Sequence, residues 1–218
     1  MKRKITAILV TAVFVLGFVA AFLSSPGPAH AYNWKKVGSA SDISNSAPAS
    51  MIEFDNRLFL GTSDYGSGGR VFAYSNNAWE SMCQPGFGSE HNVSVSSLTI
   101  FRGSLHAGTL NMNGAQLWRY EGGLDWTEVS TGQFASTDFT RVTSMATSNV
   151  GGTELLYVSI FNSIGCGVWT YDGASWNQVV GQDPAGTPGT GPGFGNKDNI
   201  EALLADYQGK IHAGTGMG

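Results

Sequence analysis

The stretch Leu98–Val129 reads LTIFRGSLHAGTLNMNGAQLWRYEGGLDWTEV and decides the fold. It contains four short segments rich in β-branched, aromatic and apolar residues, which Gly, Asn and Asp separate from one another. Such punctuation is typical of successive antiparallel strands. The stretch therefore predicts a sheet of four strands joined by turns.

The same four-part pattern recurs before and after this stretch. Its first strand is anchored by one apolar residue in each copy: Met51, Leu98, Met145 and Leu204. Its second strand begins at Arg57, Ser104, Leu155 and Lys210, and its third at Val71, Leu117 and Val168. Its fourth carries one tryptophan each time, at Trp34, Trp79, Trp126 and Trp176, which lie 45, 47 and 50 residues apart. A period of about 40–50 residues with four strands is typical of a β-propeller blade.

We therefore predict an all-β fold, a β-propeller of four-stranded antiparallel blades, over residues 32–218. Complete blades are expected at about 51–82, 98–129 and 145–180, and an incomplete one at 202–218. Residues 32–37, around Trp34, read as a fourth strand without strands one to three, which suits a strand that closes the last blade of a ring.

About three and a half blades form an incomplete ring, since the smallest propellers have about four blades. We expect the chain to be the N-terminal part of a longer protein. The alternative is that copies associate to complete the ring, although a second copy would still lack a third strand.

Residues 1–31 are expected to be a signal peptide. A basic start at Lys2, Arg3 and Lys4 precedes an apolar run from Ile5 to Leu23, and the segment ends Ala29-His30-Ala31. This order is typical of an export signal with a small-x-small cleavage site. The protein is therefore expected to be secreted or periplasmic, and a membrane anchor only where the segment stays uncleaved.

The net charge limits the classes of binding partner that are expected. Without Lys2, Arg3 and Lys4, nine of the 12 basic residues remain against 16 acidic ones, a formal net charge of −7. Nucleic acid and anionic lipid need a basic face, so neither is an expected partner.

Cys83 and Cys166 fall two blades apart in the repeat frame. Two unpaired, partly buried thiols are expected there, and a disulfide is the alternative.

Candidate binding residues come from the long loops. In a four-strand meander, loops between strands two and three share one side with the links between blades, and both are long and diverse here. Diverse loops on a rigid scaffold usually carry recognition. Aromatic, Asn and Asp side chains suit a sugar or another polar ligand, and the predicted ligand residues are Tyr65, His91, Asn111, Asn113, Asp138 and Asn162.

Other prominent residues have packing as their first interpretation. Phe87, Phe134 and Phe194 match in the repeat and are expected to fill the gaps between blades. Asn92 and Asn199 also match and are expected to form turns. His106 and His212 replace Phe59 and Tyr157 in the second strand and are expected to pack.

No motif for catalysis or metal binding is visible in the sequence. Histidine pairs with zinc spacing, a G-x-S-x-G elbow and a phosphate loop opening a helix are all missing. Several acidic residues lie on the loop side, but nothing in the sequence pairs two of them for glycosidase chemistry. We therefore expect no catalytic residue, no metal ligand and no cofactor.

The repeat G-x-L-x-A-G-T at 103–109 and V-W-x-Y-x-G at 168–173, each followed by Trp, resembles secreted bacterial propeller repeats of the sialidase-like, BNR or Asp-box kind, and also Kelch and tectonin-type lectin repeats. The Asp-box is degenerate: Arg119 stands where Ser or Thr belongs, and Asp172 comes one place late. The resemblance implies the fold and an exported, non-catalytic binding or scaffold module for a glycan or protein ligand. A glycan-processing hydrolase with catalytic residues in further blades is the alternative.

Overall fold

The computed structural model describes residues 36–44, 46–134, 137–181 and 191–217. The predicted signal segment and Trp34 lie outside these residues, as does most of the predicted closing strand at 32–37. The chain divides into two units, Met1–Lys36 and Val37–Gly218, and the second contains all the elements that follow.

Fourteen strands form from the predicted apolar segments of the described residues. The first four are β1 (Ala47–Phe54), β2 (Arg57–Ser63), β3 (Val71–Ser75) and β4 (Ala78–Ser81). The next four are β5 (Asn92–Phe101), β6 (Ser104–Asn111), β7 (Leu117–Gly122) and β8 (Asp125–Glu128). They are followed by β9 (Arg141–Val150), β10 (Thr153–Phe161), β11 (Gly167–Tyr171) and β12 (Trp176–Val180), and then by β13 (Asn199–Tyr207) and β14 (Lys210–Met217). Short 3₁₀ turns occupy Ala40–Ile43, Pro85–Gly88 and Pro192–Gly195.

Neighbouring strands pair antiparallel in chain order within each group of four. We call β1–β4 blade one, β5–β8 blade two and β9–β12 blade three, and β13 and β14 form a separate hairpin. The prediction of an all-β fold built from four-stranded antiparallel propeller blades is confirmed. A tight Gly151-Gly152 turn connects β9 to β10.

Consecutive blades are joined where the end of the second strand of one blade pairs with the first strand of the next. The pairs Ser63–Ser94 and Leu110–Arg141 continue the sheet from one blade to the next. Hydroxyl groups in the first strands donate to the first strand that follows in the array: Ser50 to the Val95 carbonyl at 2.9 Å, Ser96 to that of Val142 at 2.7 Å, and Thr143 to that of Ala202 at 3.0 Å. The first strands therefore lie side by side at the inner edge of the array.

A small residue in the second strand makes this approach possible. A Cβ on Gly108 would lie 2.5 Å from the Val142 Cβ, and one on Gly61 would lie 2.6 Å from the Val95 carbonyl oxygen. Val95 and Val142 are almost fully buried at these contacts. The repeated glycine of RLFLGT and SLHAGT is therefore a packing requirement between blades, since real Cβ atoms do not approach so closely.

Phenylalanines in the links fill the gaps between blades, as predicted. Phe87 stacks on Trp118 of blade two with ring centroids 4.9 Å apart, and meets Trp126 edge-on at 5.2 Å. Phe134 meets Trp169 and Trp176 of blade three edge-on at 5.3 and 5.1 Å. Such aromatic pairs contribute about 0.5–1.5 kcal/mol beyond their buried area.

The two ends of the array differ from its middle. Met51, predicted as a first-strand anchor, is 57% exposed because an open hollow adjoins it, which Ala40 and Ile43 also line. His212, predicted as a packing residue, is exposed on the hairpin, where it contacts Tyr207. Cys83 and Cys166 are free, buried thiols. Within the described ranges, no helix has the length and apolar character needed to cross a bilayer.

Candidate functional site

The long loops and the interblade links share one side of the array. The amide of Gly69 donates to the Asn92 carbonyl at 2.8 Å, and Ala115 donates in the same way to Phe139 at 2.7 Å. Cys166 repeats the bond with Asn199 at 2.8 Å. We call this the loop side. The tight turns within β1–β2 and β3–β4, and their equivalents in the other blades, form the turn side.

Three different side chains occupy one repeated position on the loop side. Ser94, Arg141 and Glu201 each lie close to the start of a first strand, two residues after Asn92, Phe139 and Asn199, respectively. Because the first strands line the inner edge, these three side chains lie near one another although the chain separates them by 47 and 60 residues. A polar, a cationic and an anionic group are therefore gathered at the inner edge.

Arg141 is the centre of this group. Its guanidinium forms an ion pair and hydrogen bond with the Glu201 carboxylate and lies 5.5 Å from the centroid of the Phe161 ring. The side chains of Arg141 and Glu201 are 38% and 44% exposed. Both charges are therefore held in place, and both can still be reached from solvent.

Two hollows open beside Arg141. One of about 350 Å³ has a mixed lining, with the polar side chains of Ser63, Ser94, Ser96, Thr143 and Glu201 beside the apolar ones of Ala49, Val142 and Leu203. The other, of about 310 Å³, is apolar and includes Val93, Met112 and Phe161. Tyr65, Leu110 and Arg141 line both hollows. Together they form a cleft with one mixed and one apolar part, a composition that suits a small amphipathic ligand.

The Asp64 turn positions Tyr65. The Asp64 carboxylate accepts hydrogen bonds from the Ser67 hydroxyl at 2.6 Å and from the backbone amides of Gly66 and Ser67 at 2.8 and 3.0 Å. The Ser67 hydroxyl and these amides lower the pKa of Asp64. The turn therefore stays closed at neutral pH and presents Tyr65, which is 77% exposed.

The other predicted ligand residues have different places. Asn111 and Asn162 are 4% and 6% exposed, and their side-chain oxygens accept the backbone amides of Asn113 and Ile164, so both shape their loops. Asn113, His91 and Asp138 are exposed on the loop side but line neither hollow. The structure therefore brings Tyr65 alone, of the six predicted residues, to the cleft.

Arg141 and Glu201 were missed as site residues. The available signal was their variation: within a repeat that otherwise keeps its residue types, one position changes from Ser94 to Arg141 to Glu201. By contrast, Asn92 and Asn199, two residues earlier, keep their residue type and donate to the carbonyls of Gly86 and Gly193 at 3.0 Å. Among the described residues, no three His, Cys, Asp or Glu side chains converge as a metal site would require.

Comparison with known proteins finds similarity in solved structures. No family model matches this sequence. No curated protein matches it either. The chain is similar to a sialidase from Trypanosoma rangeli, with a TM-score of 0.48 and 12% identity over 75% of this chain and 26% of the sialidase. It therefore spans about a quarter of the sialidase's length.

Two further structures are similar over other shares of the chain. A fucose lectin from Kordia zhangzhouensis, in complex with methyl-fucoside, gives a TM-score of 0.37 and 9% identity over 59% of this chain and 95% of the lectin. An α-L-arabinofuranosidase from Clostridium thermocellum gives a TM-score of 0.43 and 13% identity over 87% of this chain and 74% of the arabinofuranosidase. These similarities concern the course of the chain, and no residue role is taken from them.

Proposed function

We propose that this protein is an exported, non-catalytic binding module and that its ligand is a carbohydrate held in the cleft beside Arg141. The observation that carries the proposal is the combination of an exposed aromatic ring with a fixed ion pair. Tyr65, 77% exposed, lines both hollows together with Arg141, whose partner is Glu201.

The chemistry of a sugar matches this lining of apolar and polar groups. A pyranose has an apolar face of C–H groups, which can lie on an aromatic ring or an aliphatic wall such as Leu110. Its hydroxyl groups both donate and accept hydrogen bonds. The Glu201 carboxylate accepts and the Arg141 guanidinium donates, so neighbouring hydroxyls can be bound as a pair. A few placed polar groups in a largely apolar hollow are what fix ligand orientation.

Export belongs to the same proposal. It is supported by the basic, apolar and Ala29-His30-Ala31 order of the first 31 residues. The net charge of −7 for the rest of the chain supports a neutral ligand over a polyanion.

A glycan array with the full chain tests the proposal, followed by calorimetry on each glycan bound. Tyr65→Ala is expected to weaken binding at least about tenfold, since it removes the exposed ring from the cleft. Tyr207→Ala is the matched control, because Tyr207 is 63% exposed but lies beside a turn of the turn side. Binding that Tyr65→Ala leaves intact would contradict the proposal. Release of a product from the bound glycan would instead favour the hydrolase alternative.

A further inference from the structure

A three-ring cluster recurs on the turn side between blades. Between blades one and two, Phe54, Phe59 and Tyr120 meet edge-on with centroids 5.7 to 6.4 Å apart. Between blades two and three, the same places are taken by Phe101, His106 and Tyr171, at 5.6 Å for Phe101–His106 and 5.9 Å for Phe101–Tyr171. The difference is that an imidazole replaces the Phe59 ring.

The His106 ring presents an unused acceptor. The side chain is 2% exposed, and its Nδ1 lies 3.0 Å from the Ser104 carbonyl oxygen. A carbonyl only accepts, so Nδ1 carries the hydrogen. Burial lowers the pKa of His106 to about 4, so the ring is neutral at pH 7 and Nε2 holds a lone pair. Within the described part of the chain, Nε2 has no hydrogen-bond partner and is not fully enclosed, so it can accept a hydrogen bond from a molecule in the adjoining space.

A cavity of about 400 Å³ lies beside this ring. It is lined by His106, Tyr171, Arg102, Arg119 and Glu121, among others. Arg119 forms an ion pair with Glu121 at 2.7 Å, and both side chains are 38% exposed. The cavity therefore holds two guanidinium groups, one carboxylate and one neutral acceptor.

Arg102 is held over the cavity by its surroundings. Its guanidinium lies 5.2 Å from the Phe101 centroid, and its backbone amide donates to Glu154 at 3.1 Å. It also packs over Gly173, where a Cβ would lie 2.6 Å from Nη1. The side chains of Arg102, Arg119 and Tyr171 line the same cavity.

We propose that this crevice binds a small hydroxy-carboxylate such as a sugar acid, with its carboxylate on Arg102 and Arg119 and a hydroxyl donating to His106 Nε2. Two guanidinium groups select an anion, because they donate in the geometry that a carboxylate accepts. The neutral Nε2 selects a ligand that also carries a donor. This crevice is on the turn side, so it is a second site, separate from the cleft at Tyr65.

Calorimetry with the full chain and three probes tests this second site. The probes are glucuronate, glucose, which lacks the carboxylate, and cyclohexanecarboxylate, which lacks the hydroxyls. Glucuronate is expected to bind at least about tenfold more tightly than either. No glucuronate binding at millimolar concentration, or equal binding of all three probes, would overturn the proposal.

Variants locate the binding. His106→Phe introduces the residue that blade one has at this place, and Arg119→Gln removes one cation; each is expected to weaken glucuronate binding about tenfold or more. Arg57→Gln, in the corresponding crevice between blades one and two, is the matched control and leaves it unchanged. Where His106→Phe disturbs folding, the exposed Arg102→Gln gives the same test. Unchanged affinity for glucuronate in the folded variants would refute the site. Tyr65→Ala distinguishes this site from the loop-side cleft, because the variant is expected to bind glucuronate as the unchanged protein does.

Discussion

The indole N–H of Trp176 donates to the backbone carbonyl of Val129 at 3.0 Å, from the fourth strand of blade three to the residue that follows the fourth strand of blade two. Trp126 makes the same bond to Met82 at 2.8 Å, and Trp79 makes it to Val37 at 3.1 Å. Each acceptor comes three residues after the preceding tryptophan of the repeat: Trp126, Trp79 and Trp34, respectively. The repeated tryptophan therefore hydrogen-bonds consecutive repeats at their outer edges. The hydroxyls of Ser50, Ser96 and Thr143 form the corresponding hydrogen bonds at the inner edges.

Trp126→Phe is expected to destabilise the protein by about 2 kcal/mol, because it leaves the buried Met82 carbonyl without its donor. Trp79→Phe is the matched control. Its acceptor belongs to Val37, which is 38% exposed, so water can replace the indole and the loss should be smaller. Urea unfolding of both variants measures the difference. Equal losses would show that ring packing, and not the hydrogen bond, is what the tryptophan contributes.

Gly108→Ala is expected to lower the free energy of unfolding by about 1–3 kcal/mol, because the new methyl group overlaps the Val142 side chain in the packed interblade contact. Gly214 has the same place in KIHAGT, yet nothing lies within 4 Å of its Cβ position. Gly214→Ala should therefore change the free energy of unfolding by less than about 0.5 kcal/mol. Chemical denaturation checks both, and a large loss at Gly214 would mean that the second-strand glycine is needed within its own hairpin.

Protonation of His106 is expected to destabilise the fold in acid. Burial lowers its pKa from 6.5 to about 4, so between these values the unfolded chain binds the proton more readily than the native one. Stability is therefore fully present above about pH 6.5 and falls as the pH drops through 4, by on the order of 3 kcal/mol. His106→Phe should flatten this part of a stability-against-pH curve. His212→Phe, at an exposed position, is the control, and an equal flattening there would contradict the assignment.

Both thiols are expected to resist alkylation in the native protein. Burial raises the pKa of Cys83 to about 11 and also raises that of Cys166, so the reactive thiolate is rare at pH 8. Iodoacetamide followed by mass spectrometry should label neither residue until denaturant is added. Ser163→Cys, at an exposed loop position, supplies an accessible thiol for comparison. Rapid native labelling of Cys83 at the rate of this control would show that blade one opens.

Strand order within a blade could be predicted because its causes are local. The alternation of apolar residues, the turn residues and the recurring Trp79, Trp126 and Trp176 each act over a few positions. The matching positions of Phe87 and Phe134 in the repeat also predicted that they lie between blades. The exposure of Met51 could not be predicted from the repeat, since it depends on what packs beside blade one and not on its own segment.

The amino-acid sequence alone determined the antiparallel blades, their tryptophans and the aromatic rings that fill the gaps, because propensity and periodicity are properties of neighbouring residues. Only the packing of one blade on another decided that Arg141 meets Glu201 across 60 residues, and that His106 faces Arg102 and Arg119 in a crevice. Such contacts join residues from different repeats, and their geometry follows from the distance between first strands that Gly61 and Gly108 permit.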